Sequence, residues 1–189
     1  MERKLAHVAL FAAMIAALGF VPAITLGFGV PITAQTLGVM LAGAVLGARQ
    51  GAAAAALLLL LVALGLPLLS GGRGGLGVFA GPTTGFALGW PLGAYVTGLI
   101  VEKLPLRPAG LVAALAAVVG GILVIYTTGI VGFALVTGKG LLESTVLMAA
   151  FIPGDLLKAG ITGMLVQGLV RARPQTLGWY RPAVPGRRL

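Results

Sequence analysis

Only four acidic side chains occur in this chain. One of them, Asp155, stands three residues before Lys158 in the apolar stretch Phe151-Ile152-Pro153-Gly154-Asp155-Leu156-Leu157-Lys158. At that spacing on a helix the two side chains share a face. Ionisable groups in so apolar a setting are costly, and they face a cavity or a partner. Pro153-Gly154 loosens the helix just ahead of them, and backbone groups freed beside a cavity are open to a ligand. Two chemistries fit. The pair could simply neutralise itself, or it could form a polar ligand site. In the second case the carboxylate accepts from ligand N–H groups and the ammonium meets a ligand anion.

Two further polar groups stand out. In Gly81-Pro82-Thr83-Thr84-Gly85-Phe86, two hydroxyls and several backbone N–H groups gather where a helix begins. Such a place binds anions or polar heads, although Thr is equally an ordinary helix cap. In Pro31-Ile32-Thr33-Ala34-Gln35-Thr36, three polar side chains cluster between apolar segments, either as a loop with a cap or as ligand contacts. Other matches fail. Gly72, Gly74 and Gly77 spell G-x-G-x-x-G without the strand that a dinucleotide site needs. Gly138-Lys139-Gly140 lacks the hydroxyl residue after the lysine, and Phe133 stands where a phosphate loop needs its first glycine. The chain therefore lacks a nucleotide motif of its own. His7 is the only histidine, and there is no cysteine. One histidine and four acids make no metal site and no nucleophile–base set. No cofactor is expected.

The elements that must position these residues follow from hydropathy. Of the 189 residues, 59% are hydrophobic and 9% charged, against roughly 25% charged in soluble domains. Mean hydropathy is +1.09. Lipid is the natural solvent for so much apolar surface. A crossing takes roughly 20 apolar residues. Six segments qualify, at about 5–27, 33–48, 51–69, 83–101, 108–136 and 144–170. The second and third are nearly continuous. The expected fold is an all-α integral membrane protein of six transmembrane helices, with a membrane domain over 1–173 and a tail over 174–189. The first apolar run is too long for a cleaved signal peptide. No internal repeat of the kind found in many secondary transporters is visible.

The net charge of +9 could suggest nucleic acid. The positive residues instead flank apolar runs, where they read as topology signals and lipid contacts. With the N-terminus in the cytoplasm, the internal set is Arg3, Lys4, Arg49, Lys103, Arg107, Arg171, Arg173, Arg181, Arg187 and Arg188. Only Arg73 and Lys139 fall outside. Both termini are then cytoplasmic, and the loops near 28–33, 70–82 and 137–143 face out. Small residues recur at four-residue spacing, which suits close helix packing in lipid. Gly43, Gly47 and Gly51 form one series and Gly85, Gly89 and Gly93 another. Ala9, Ala13 and Ala17 form a third, on the first helix, which serves either internal packing or docking to another membrane protein.

Three stretches, in this order and spacing, resemble the BioY family, the biotin-capturing S components of energy-coupling factor transporters. They are Val30 to Gly43, the glycine-rich loop running into Gly81 to Phe86, and Phe151 to Lys158. The likeness spans about residues 5–170. It implies the S-component fold, in the plasma membrane of a prokaryote. It implies biotin bound near the external face and closed over by the first and third external loops. The implied ligand contacts are Asp155, Lys158, Thr83, Thr84, Gly85, Phe86, Gln35 and Thr33, with Lys158 on the ligand carboxylate and Asp155 on its ureido donors. Phe86 departs from the tyrosine more usual in the family, and Thr84 from a glycine. The resemblance also implies docking of a membrane coupling protein on Ala9, Ala13 and Ala17, with two cytoplasmic ATPase subunits driving transport. The alternative is a stand-alone secondary transporter using Asp155 as a proton-linked site. An intramembrane enzyme has no catalytic constellation to support it.

Overall fold

The computed structural model describes residues 2–25, 27, 29–104 and 108–180. Arg107, Arg181, Arg187 and Arg188 of the expected internal charge set lie outside them. A backbone in hydrocarbon must satisfy its own polar groups, and a helix does so within one segment. The chain accordingly forms α1 (Glu2–Leu18), α2 (Gln35–Leu46), α3 (Ala48–Ala63) and α4 (Thr84–Lys103). Next, α5 (Ala109–Val118) passes through a π-helical segment, Val119–Val124, into α6 (Ile125–Thr137). Then α7 (Leu141–Met148) passes through a 3-10 turn, Ala149–Phe151, into α8 (Ile152–Ala172). Thr84–Lys103, Ala109–Thr137 and Leu141–Ala172 are long and apolar enough to cross a membrane, and Gln35–Leu46 and Ala48–Ala63 are shorter apolar helices.

Two boundaries differ from the hydropathy reading for clear reasons. The first helix stops at Leu18 because Pro22 disfavours helical backbone at the residue before it. The chain then forms a two-residue antiparallel hairpin, β1 (Ile24–Thr25) against β2 (Pro31–Ile32). The second and third segments are separate helices divided by a single residue. Gly47 has φ +84, a left-handed value open to glycine. The break orphans two backbone groups, and distant side chains satisfy both. The Ala48 N–H donates to Glu102 Oε1 at 2.9 Å, and the Trp179 indole donates to the Ala44 carbonyl at 3.0 Å.

At the centre lies α2, buried from Gly38 to Val45 and packed by α1, α3, α4, α5 and α8. Glycines set the helix spacing: a Cβ on Gly51 would come 2.7 Å from Gly43 Cα, and one on Gly93 would come 2.7 Å from the Gly120 carbonyl. The glycine series thus serves internal packing, as small residues do in lipid. The alanine series does not. Ala9, Ala13 and Ala17 lie on the exposed face of α1, while Ala12, Ile15 and Ala16 turn inward. Past α8 the chain folds back on the bundle. Leu177 is buried, and Trp179 and Tyr180 pack with it against Val45, Val101, Val112 and Val166.

Candidate functional site

The ends of α2 identify two ends of the bundle. At its C-terminal end are Ala44 with Trp179, Ala48 with Glu102, and the basic residues Arg49, Lys103, Arg171 and Arg173. At its N-terminal end Gln35 ties three segments together. Its amide donates to the carbonyls of Ile15 at 3.1 Å and Leu68 at 3.0 Å, and its carbonyl accepts from the Ser70 N–H at 3.0 Å. The cavity lies here. Its empty volume is about 630 Å³, counting the open mouth.

Three helices deliver one polar cluster to this cavity, and a fourth adds an aromatic ring beside it. The first turn of α8 supplies Asp155, which is 5% exposed. Lys158, one turn on, donates to Asp155 Oδ1 at 2.6 Å and to Thr36 Oγ1 of α2 at 2.9 Å. Thr36 in turn donates to Asp155 Oδ1 at 3.3 Å. From α6, the Tyr126 hydroxyl donates to Asp155 Oδ2 at 2.7 Å. Phe86 of α4 meets the Tyr126 ring edge-on, with centroids 6.2 Å apart, and lies 6.5 Å from the Phe151 ring. Asp155 and Lys158 therefore do neutralise each other, and both also line the cavity. The ammonium keeps one N–H beyond the two it uses, and the carboxylate keeps further acceptor capacity.

A second polar group stands at the loop after α3. Leu69 and Arg73 pair their backbones, which holds the Arg73 side chain against the start of α4. Its Nε donates to the Ser70 carbonyl at 3.1 Å and a terminal nitrogen donates to Thr83 Oγ1 at 3.4 Å. Arg73 lines the cavity and, among the described residues, has no ion-pair partner. The remaining lining is largely apolar, with Val30, Ile32, Leu69, Ala87, Trp90 and Ile125. Trp90 is buried, and its indole N–H has no acceptor among the described residues.

Of the residues singled out in the sequence, Asp155, Lys158, Thr83, Phe86, Gln35 and Thr33 all line this cavity. Thr84 and Gly85 are not among its lining residues. The Thr84 hydroxyl donates to the Gly81 carbonyl at 2.7 Å and so caps the loop. Gly85 packs on α6, where a Cβ would come 2.9 Å from Gly132 Cα. Gln35 spends both amide donors on backbone carbonyls. Loop contributions come from Val30 to Thr33 and from Leu69, Arg73 and Thr83, whereas no residue of 137–143 is among the lining. Lining residues thus come from the loop between α1 and α2 and the loop between α3 and α4. Hydropathy reasoning passed over Tyr126, Trp90 and Arg73. A tyrosine hydroxyl in mid-segment is the signal that could have marked the first. Arg73 carries a signal too, as a lone cation in the glycine-rich stretch after the third apolar segment.

Comparison with known proteins gives a consistent picture. The family model described as "BioY family" matches residues 2–175. A protein of Rhodobacter capsulatus named "Biotin transporter BioY" is 55% identical over 94% of this chain and 98% of its own length. One of the same name from Rhizobium etli is 53% identical over 91% and 95%. The "Probable biotin transporter BioY" of Bacillus subtilis is 41% identical over 88% and 89%. A crystal structure described as the S-component for biotin from an ECF-type ABC transporter superposes with a TM-score of 0.88 at 31% identity, over 95% of this chain and 96% of that one. The helices and these transporter relatives make the chain a multi-pass membrane protein. Matched along almost its whole length in both sequence and fold, the chain belongs to the BioY family.

Proposed function

We propose that this chain is the substrate-binding S component of an energy-coupling factor importer and that its ligand is biotin. Its relatives bear that function in their names, but the observation that carries the reading is chemical. The cavity is mostly apolar, and its charged lining is one anion, Asp155, and two cations, Lys158 and Arg73. The balance is one positive charge, complementary to a ligand with a single carboxylate. Biotin has one carboxylate, an apolar body, and a ureido ring with two N–H donors and a carbonyl.

The arrangement also favours an orientation. The Lys158 ammonium is neutralised by Asp155, so the ligand carboxylate seeks Arg73. This differs from placing the carboxylate on Lys158. The ureido ring then meets the Asp155–Lys158–Thr36–Tyr126 cluster, which offers both acceptors and donors. Phe86 and Trp90 cover the apolar body. Gln35 holds the loops that bound the site.

In this reading the helical runs cross the membrane six times. The basic end faces the cytoplasm with both termini, and the cavity faces outward across the plasma membrane of a prokaryote. The exposed Ala9, Ala13 and Ala17 face of α1 docks a membrane coupling protein. Two cytoplasmic ATPase subunits supply the energy, and the chain itself performs no catalysis. Calorimetric titration of the detergent-purified protein with biotin, thiamine and riboflavin tests the ligand. Saturable binding of biotin alone is expected. Absence of biotin binding, or equal binding of the three, overturns the reading.

A further inference from the structure

Trp90 is 6% exposed, lines the cavity, and carries an indole N–H with no acceptor among the described residues. A buried donor left unpaired is a standing cost, and folded proteins keep few of them. The core to which the ring belongs, with Val39, Leu58, Ala87, Ala94 and Ile125, is apolar. The missing acceptor therefore has to come from the cavity.

The depth of Trp90 says which part of a ligand it meets. Thr83, Phe86 and Trp90 follow at i, i+3 and i+7, along one face of α4. Thr83 accepts from Arg73 where the loop enters the helix. Trp90 lies two turns further in, about 10 Å along the axis. At that level α4 touches α6 at Ile125: a Cβ on Gly89 would come 3.3 Å from Ile125 Cα, and one on Gly93 would come 2.6 Å from Ile125 Cγ1. The next residue, Tyr126, holds Asp155. Trp90 is thus level with the Asp155 cluster and two helical turns from the Arg73–Thr83 contact.

That cluster is also short of a donor. A ureido group offers two N–H donors and a carbonyl with two lone pairs. The oxygens of Asp155 and Thr36 suit the N–H groups. For the carbonyl the cluster keeps one spare donor, the third N–H of Lys158, because the Tyr126 and Thr36 hydroxyls are both spent on Asp155. We propose that the Trp90 indole N–H is the second donor to the ligand's ureido carbonyl, which makes Trp90 a specificity-determining residue whose hydrogen bond forms only in the loaded protein. The inference rests on biotin as the ligand, with its carboxylate on Arg73.

Two measurements on the full chain in detergent test it. Trp90 and Trp179 are the two tryptophans, and Trp179 already donates to the Ala44 carbonyl, so it serves as an internal reference. In heteronuclear NMR of tryptophan-labelled protein, the Trp90 indole proton is identified by its loss in Trp90→Phe. It should move downfield on saturation with biotin while that of Trp179 stays. In titrations, Trp90→Phe should weaken biotin about fivefold, the worth of one neutral hydrogen bond. Desthiobiotin, which keeps the ureido carbonyl but lacks the ring sulfur, should lose as much. The thione analogue of biotin, with a poorer C=S acceptor in place of that carbonyl, should lose distinctly less. Equal losses for all three ligands would make Trp90 a packing residue and overturn the proposal. So would a loss confined to the two sulfur-ring ligands, undiminished biotin affinity in Trp90→Phe, or an unmoved Trp90 signal in the biotin-loaded protein. Each of those results leaves biotin standing as the ligand. Failure of the unmodified chain to bind biotin removes instead the reading on which the proposal rests.

Discussion

Asp155 and Lys158 have two duties at once, and the duties are separable by substitution. Their side chains are 7% and 14% exposed, so removing one partner strands a buried charge. Lys158→Met should cost about 3–5 kcal/mol, read as a lower midpoint in thermal unfolding of the detergent-solubilised protein. The double substitution Asp155→Asn with Lys158→Met should recover most of that loss, since an uncharged pair leaves nothing stranded. It should still fail to bind biotin. Recovery of binding along with stability would reduce the pair to a packing device. Arg73 gives the complementary case. Arg73→Gln should weaken biotin at least tenfold, equivalent to about 1.4 kcal/mol, and leave biotin methyl ester nearly unaffected. Lys158→Ala should weaken both ligands alike, and titration of the two variants with the two ligands checks the assignment. Asp155 and Lys158 were legible in the sequence because ions are conspicuous among apolar residues. Tyr126 and Trp90 were not, because an aromatic in a hydrophobic segment reads as core until its place on a cavity wall is seen. Gln35 was legible as a cavity residue, but its triple tie to Ile15, Leu68 and Ser70 depends on loops whose path hydropathy does not encode.

At the scale of elements, hydropathy located the apolar segments but not where they break. The helix-to-helix passage at Gly47 rests on one backbone angle, and the π segment at Val119–Val124 on glycines pressed by α4 and α2. Neither leaves a mark in an apolar average. Gly47→Ala should therefore destabilise by about 1–3 kcal/mol through backbone strain alone, and more through collision with Glu102. Thermal unfolding measures the loss, and an unchanged midpoint would mean that the junction relaxes freely. The face of α1 was legible as a pattern but not as a surface, because spacing does not say which side is out. Ala13 is exposed, so Ala13→Trp should leave fold and biotin affinity intact. In vesicles carrying the whole importer, the same substitution should stop ATP-driven uptake. Normal uptake by that variant would remove the docking role.

The whole molecule has two dissimilar ends, an apolar cavity with a small polar cluster at one and a belt of positive charge at the other. That polarity suits a receptor that hands its ligand on rather than a channel. If the chain works with separate ATPase subunits, vesicles containing it alone should bind biotin without concentrating it, with or without a proton gradient. Gradient-driven accumulation, lost on adding an uncoupler, would instead favour the stand-alone transporter. Isotope uptake in such vesicles distinguishes the two.

The return of the chain after α8 carries a practical consequence. Leu177 is 2% exposed, and Trp179 holds a carbonyl of the central helix, yet the family match ends at residue 175. A protein engineer who trims to the matched span, or fuses a reporter directly after Arg173, would pull a plug from the bundle floor. The Ala44 carbonyl would lose its donor, at a cost of about 1–3 kcal/mol, before any lost packing is counted. Tags belong beyond Tyr180.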